Sequence, residues 1–265
     1  MVVIGILIAL QVNNYNEDAN RKKAEQKALS NLQLDFEYNL SKLKEGIRIN
    51  EGNLKACMKI LDHTGKRYSA TFPIDSVLGE IASSQQYFPQ NGFLLDLINS
   101  GNLGLFENDL LRNRLSLWLP SLETLKNREA ICIEFDNDLI RFVFKNGSWL
   151  DSDKADVDQT IKDLHFPESG FDTDNRELLK SLEFENMIEN QVVFLAILLE
   201  EQQNCLKLNQ EILDLLKAGL KESDSQQKID FNGALPFIPL FLADRSRSGS
   251  GLKNTESEIF RAGSH

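Results

Sequence analysis

Four groups of side chains along this chain have types that could do chemistry, and each fails a test of spacing. DSDKADVD at 151–158 has the alternating aspartates of a calcium loop. That loop needs Asp or Asn at its fifth position, Gly at its sixth and Glu at its twelfth, where this chain has Ala155, Asp156 and Lys162. A solvated acidic linker accounts for the run. His63, His165 and His265 stand alone, with none of the His/His or His/Cys spacings that hold zinc. His63 falls at a helix end, where a cation is favoured by the negative end of the dipole. Glu45, Glu134 and Glu200 lie on long helices and could face an interior, as in carboxylate-bridged di-iron bundles. Such a site needs Glu-x-x-His on two helices, and the chain has no such motif. Cys57, Cys132 and Cys205 are far apart and each sits on an apolar helical stripe, which makes them small buried hydrophobes rather than disulfide partners, metal ligands or nucleophiles.

No GxSxG elbow, phosphate-binding loop or GxGxxG after a strand occurs, and GNLG at 101–104 lies between helices. No catalytic, metal or cofactor-binding residue is therefore assigned, no cofactor is expected, and the chain reads as a non-enzyme. Composition narrows the partners further. With 29 basic residues against 40 acidic ones the net charge is −11, and no Lys/Arg stripe interrupts it, so nucleic acid is excluded as a partner on electrostatic grounds. A hydrophobic content of 42% over 265 residues is ample for a packed core.

The elements that would position any site begin with a greasy stretch. Residues 1–12 (MVVIGILIALQV) carry one polar side chain, Gln11, and run straight into Asn13, Asn14, Tyr15 and Asn16. A membrane helix leaving the hydrocarbon has this boundary, but a crossing takes about 20 apolar residues. Residues 1–16 are thus expected to be a truncated transmembrane segment, with Tyr15, Arg21, Lys22 and Lys23 as its interfacial anchor. Next comes a repeat in steps of three or four: Leu29, Leu32, Phe36, Leu40, Leu43, Ile47, Asn50, Leu54, Cys57 and Leu61. It predicts one helix over about 17–62, on the order of 65 Å long, which must lie against other long helices to bury its stripe. Asn50 is a polar intrusion of the kind that fixes register.

Asp75 is expected to cap a short helix, Gly101 to end another in the left-handed conformation and Gly104 to let the backbone turn again. Phe106 is expected to staple onto Leu110 or Leu111, as a helix starts near Asn108. The stripe through Leu111, Leu115, Trp118, Leu122, Leu125, Cys132, Phe135, Leu139 and Phe142 predicts a helix over 107–145, which Pro120 should kink or divide. Residues 147–174 read as a linker with a weak helix over 157–164 and are the best candidate for a mobile loop. Asp174 and Glu177 match a capping box opening RELLKSL. A final helix over 184–221 should end at Gly219, with VVFLAILL (192–199) in the deep middle of the bundle. Residues 223–265 read as a low-complexity or disordered tail.

Three segments in order, VVIGILIALQVNNYNE (2–17), LINSGNLGLFENDLLRNRLSLW (97–118) and SLEFENMIENQVVFLAILLEEQQ (181–203), resemble an uncharacterised family of bacterial membrane-anchored helical proteins, a domain of unknown function. The resemblance covers about residues 2–220. It implies a single-pass protein of the inner membrane with its helical domain outside the cytoplasm, and it carries over no catalytic residue. This chain departs from that pattern in lacking the basic leader and the first half of the membrane helix, and in its tail after residue 222.

The expected fold is all-α: a truncated transmembrane segment at 1–16, then a domain over 17–222 built on three long antiparallel helices with short helices covering one end. The expected role is a membrane-tethered interaction or sensor-like module whose partners are the lipid bilayer and a protein or a second copy of itself, with any small-molecule ligand unknown. The alternative is a soluble oligomeric scaffold in which residues 1–12 are buried between subunits. An enzyme or receptor with a pocket around Trp118 and Phe106 is a third reading.

Overall fold

The computed structural model describes residues 2–155, 166–167 and 169–233, and every regular element among them is helical. The first, α1 (Val2–Leu61), has no break between the greasy start and the heptad-like seam. Its stripe is buried as its spacing requires: Leu29, Leu32, Phe36, Leu43, Ile47, Cys57 and Ile60 are all interior, with Leu40 and Leu54 half-buried. The bundle helix expected from about residue 17 is continuous with the greasy segment before it, because nothing in residues 2–16 breaks a helix. Over that stretch none of the described residues covers the helix, and Val3, Ile4, Ile6, Leu7, Ile8, Leu10 and Val12 are exposed. No helix among the described residues is long and apolar enough to cross a membrane. The apolar run stops at Val12, where asparagines and then charges take over.

The three long helices are α1, α4 (Asp109–Asn146) and α6 (Leu182–Gly233). They are not mutually antiparallel as expected. Arg21 pairs with Glu107 at 2.8 Å and Phe36 packs on Trp118 with ring centroids 5.1 Å apart, so α1 and α4 run in the same direction. Only α6 runs against both. Cys132 Sγ lies 3.5 Å from the Phe194 carbonyl, Arg114 meets Glu211 at 2.8 Å, and Lys217 meets Glu37 at 3.2 Å. The cause is the length of the first connection. Residues 62–108 travel back down α1 before α4 begins, so the chain re-enters the bundle at the end from which α1 came.

That return leg contains the short helices α2 (Asp75–Leu78) and α3 (Gly92–Asn99) and 3-10 turns at Gly65–Arg67, Glu80–Ala82 and Asn102–Leu105. The turn at Glu80–Ala82 packs against both α1 and α4. The short helices therefore line the bundle rather than close one end. Asp75 is the first residue of α2, not its cap, and its carboxylate accepts from Asn175 Nδ2 at 2.6 Å. Gly101 is left-handed, with φ of 71°, and stops α3 as expected. Gly104 has no positive φ and turns as part of the 3-10 segment. Asn108 caps α4 by accepting from the Leu111 amide at 3.0 Å. Phe106 and Leu111 are both in the core, while Leu110 is exposed and takes no part in a staple.

Pro120 does not divide α4. The proline is exposed, so its ring takes no space in the core, and buried Trp118 and Leu125 anchor the helix on either side of it. Gly147 ends α4 because the backbone there passes Asn175 too closely for a side chain, which would meet Asn175 Oδ1 at 2.5 Å. The expected linker begins instead with a packed helix, α5 (Trp149–Ala155). Ser152 is fully buried and donates to the Asp75 carbonyl at 3.1 Å. The helix expected at 157–164 lies outside the described residues.

Asp174 accepts from the Arg176 amide at 2.9 Å, which is half a capping box. Glu177 turns to Lys180 instead, and the element it opens, Asn175–Lys180, is 3-10. Gly219 does not end α6. A side chain there would come within 3.1 Å of Leu29 Cδ1, so this glycine serves a close helix crossing. VVFLAILL is not deep all round: Leu195 and Leu198 are fully buried, but Val193 is exposed. Residues 1–226 form one compact unit; of the second, 227–265, the described part is the helical 227–233.

Candidate functional site

Residues 83–91 (SSQQYFPQN) carry no helix or strand, and they lie along α1 and α4 with Tyr87 turned inward and Ser83, Gln86, Phe88 and Gln90 exposed. Tyr87 is buried and Ser84, Gln85, Pro89 and Asn91 are half-buried, so their peptide groups need partners, and the segment has no ladder of its own. Side chains of the two flanking helices supply them. From α1, Asn53 donates to the Ser83 carbonyl at 2.9 Å. Asn50 accepts from the Gln85 amide at 2.8 Å and donates to the Gln85 carbonyl at 3.2 Å, and Asn39 does the same for Gln90 at 2.7 and 2.9 Å. From α4, Asp136 accepts from the Ser84 amide at 2.9 Å and Glu129 from the Tyr87 amide at 2.8 Å. Trp118 Nε1 ties the far end by donating to Asn91 Oδ1 at 2.9 Å.

The spacing of these residues follows from the two rises. Asn39 and Asn50 are eleven residues apart, about 16 Å along a helix, and their targets Gln90 and Gln85 are five apart, about the same length of outstretched chain. Glu129 and Asp136 are seven apart, about 10 Å, and Tyr87 and Ser84 three apart, again about 10 Å. Two helices thus act as sheet neighbours for a strap that has none.

Glu129 and Asp136 are both buried, and no Lys or Arg forms an ion pair with either among the described residues. Burial pushes the Glu129 carboxyl up to about 7, opposed in part by the Tyr87 amide. Asp136 is also raised by burial, against hydrogen bonds from Ser84 and Gln191. The same desolvation pushes the Cys57, Cys132 and Cys205 thiols up to about 12, so each is a neutral buried group, as their stripe positions indicated. On α6, Gln202 Oε1 accepts from Asn50 at 3.2 Å, while Gln202 Nε2, Gln191 Oε1 and both polar atoms of Asn209 have no partner among the described residues.

Beside the strap, on the α4 side, lies an open cleft of about 420 Å³, walled by Phe88, Pro89, Leu119, Leu122 and Leu125, with Glu129 on its lining. It adjoins the place where a pocket was expected, but Trp118 and Phe106 are fully buried filling and line none of it. The other residues weighed for chemistry lie apart. Glu45, Glu134 and Glu200 are exposed. His63 Nδ1 donates to the Lys59 carbonyl at 2.8 Å, and its ring stacks on Phe72 with centroids 4.0 Å apart. Asp151 and Asp153 lie on α5, and 156–158, His165 and His265 fall outside the described residues. No group of three His, Cys, Asp or Glu side chains that could hold a metal occurs among the described residues. Tyr15 is exposed, and Arg21 is engaged with Glu107.

Spacing carries the signal for the two buried carboxylates. Glu129 and Asp136 continue the α4 stripe, Leu125, Glu129, Cys132, Asp136 and Leu139, in steps of four and three. A charge on a stripe position must find a polar partner inside.

Residues 1–118 match the sequence model of a family of unknown function (DUF6090). Two of the three segments that carry the resemblance, 2–17 and 97–118, lie inside that match. No curated protein and no solved structure matches the chain.

Proposed function

We propose that this chain is a non-catalytic, membrane-tethered helical interaction module of sensor-like layout, in which the first turns of α1 meet the lipid bilayer. One observation carries the reading. The exposed apolar side chains of residues 3–12 fall on every side of α1 rather than on one stripe. A helix that is apolar all round suits hydrocarbon, whereas a dimer seam needs only a stripe. The segment is about 16 Å long and would reach about half-way through a hydrocarbon core of about 30 Å. Because α1 continues without a break into the core, a shift or tilt at the lipid end would be carried to the strap that hangs on Asn39, Asn50 and Asn53. The resemblance supports the orientation proposed: one pass of a bacterial inner membrane, with the bundle outside the cytoplasm.

The second reading, a soluble scaffold, uses the same residues as a contact between copies. Flotation with phosphatidylethanolamine/phosphatidylglycerol vesicles separates the two. The chain should float, and a chain carrying Ile4→Asp, Ile6→Asp and Ile8→Asp should stay at the bottom. A chain that does not float but loses its oligomeric mass in light scattering with those substitutions favours the scaffold.

A further inference from the structure

We propose that the cleft between residues 86–89 and α4 is a binding site for a small amphipathic cation, an ammonium or amidinium on an apolar ring or chain, seated with its charge against Glu129. The proposal goes beyond the membrane reading and does not depend on it. Ligand sites are concave and mostly apolar, with a few placed polar groups, and a volume of about 420 Å³ is within their usual range. The walls here are Phe88, Pro89, Leu119, Leu122 and Leu125. The polar group is one carboxylate, 5% exposed, of which Oε1 is held by the Tyr87 amide and Oε2 has no hydrogen bond among the described residues.

That oxygen is placed by the fold rather than by chance. Glu129 is locked to the strap by the Tyr87 amide, and the strap in turn is fixed by Asn50 and Asn39. A buried carboxylate without a cation is an incomplete arrangement, and a ligand ammonium or amidinium would complete it with a charge-assisted hydrogen bond. The other charges on the lining are Glu123 and Lys126, both exposed, so water screens them and neither substitutes for the missing partner. A net charge of −11 also favours cationic ligands on approach. The acidic opening around Asp75, Asp151 and Asp174 competes poorly as a cation site, because Asp75 is held by Asn175 and Asp174 by Arg176.

Calorimetric titration of the whole chain with three indoles of one shape tests the idea: tryptamine, the neutral tryptophol and the anionic indole-3-propionate. Tryptamine should bind at least about tenfold more tightly than either of the others. Glu129→Gln keeps the acceptor for the Tyr87 amide and removes the charge, so it should weaken tryptamine about tenfold and leave tryptophol unchanged. Leu122→Trp leaves the carboxylate in place and fills the cleft, so it should weaken all binding, and it carries the test should the glutamine variant not fold. Three indoles of equal affinity, no heat from tryptamine, or variants that both bind tryptamine as the parent chain does would each overturn the proposal. None of these outcomes bears on flotation with vesicles.

Discussion

Residues 3–12 and 29–60 lie on one uninterrupted helix, yet they differ in what holds them. The later stretch is apolar on one stripe, and the bundle covers that stripe completely at Leu32, Cys57 and Ile60. The earlier stretch is apolar on all sides, and none of the described residues covers it. A stripe specifies neighbours, because only one set of directions needs filling. An unstriped surface specifies a medium. The later stretch also carries Asn39, Asn50 and Asn53, buried polar groups that each bond to the return strap, Asn50 to Gln202 of α6 as well, whereas residues 3–10 carry no polar side chain. One half of α1 is covered by the rest of the bundle, and the other is exposed.

The largest effect that would sharpen the contrast comes from the striped half. Phe36 is buried against Trp118 with centroids 5.1 Å apart. Phe36→Ala should lower unfolding free energy by about 3–5 kcal/mol, through lost burial and the cavity left behind, read as the fall in the urea midpoint. A shift under about 1 kcal/mol would mean the stripe is less closely packed than its exposure indicates. Next comes the polar part of the same stripe. Asn50→Leu leaves the Gln85 amide and the Gln202 carbonyl oxygen without their partner, at a cost of about 2–3 kcal/mol. It should also speed hydrogen exchange at the amides of Gln85 and Tyr87. A stable variant with slow exchange there would show that Asn50 does not hold the strap.

Across the strap from Asn50, Glu129 gives a prediction with a sign. Its carboxyl is raised from 4.5 to about 7, chiefly by burial. The folded state therefore keeps a proton that the unfolded chain releases, and this group's contribution to stability, full below about pH 4.5, is lost as pH rises to about 7. Glu129→Gln is neutral throughout. It should match the parent near pH 4 and be more stable by about 2 kcal/mol near pH 8, a figure below the full value of the shift to allow for partial solvation. A parent and variant whose urea midpoints stay parallel across that window would show that Glu129 is solvated.

Most of the bundle was legible in the sequence because helical stripes are local. The seam from Leu29 to Leu61, the helix start near Asn108, the left-handed stop at Gly101 and the burial of all three cysteines follow from spacing and turn chemistry alone. Direction was not legible. Whether α4 runs with or against α1 depends on where residues 62–108 travel, and that path is set by pairings such as Asn39 with Gln90, in which a side chain meets a main chain fifty-one residues away. No periodicity records such a pairing. Gly219 misled for a related reason: a glycine that stops a helix and one that admits a neighbouring Leu29 are the same letter. The strap and its cleft were missed because residues 83–91 have no period, while the carboxylates that define them, Glu129 and Asp136, were hidden within an otherwise apolar stripe.

The smallest expected effect on stability belongs to the uncovered half, and it is the one that bears most on function. Ile6 and Ile8 are both more than half exposed and touch no part of the core. Ile6→Asp with Ile8→Asp should therefore change the urea midpoint by no more than the equivalent of about 0.5 kcal/mol, as surface substitutions usually do. The same pair should abolish flotation with vesicles if lipid is what the apolar surface meets. Stability and attachment would then separate cleanly within one helix. A large loss of stability in the absence of lipid would instead show that residues 3–12 are already covered in solution by another copy, since none of the described residues covers them. The unstriped half would then be an interface, and α1 would be held by protein contacts along its whole length.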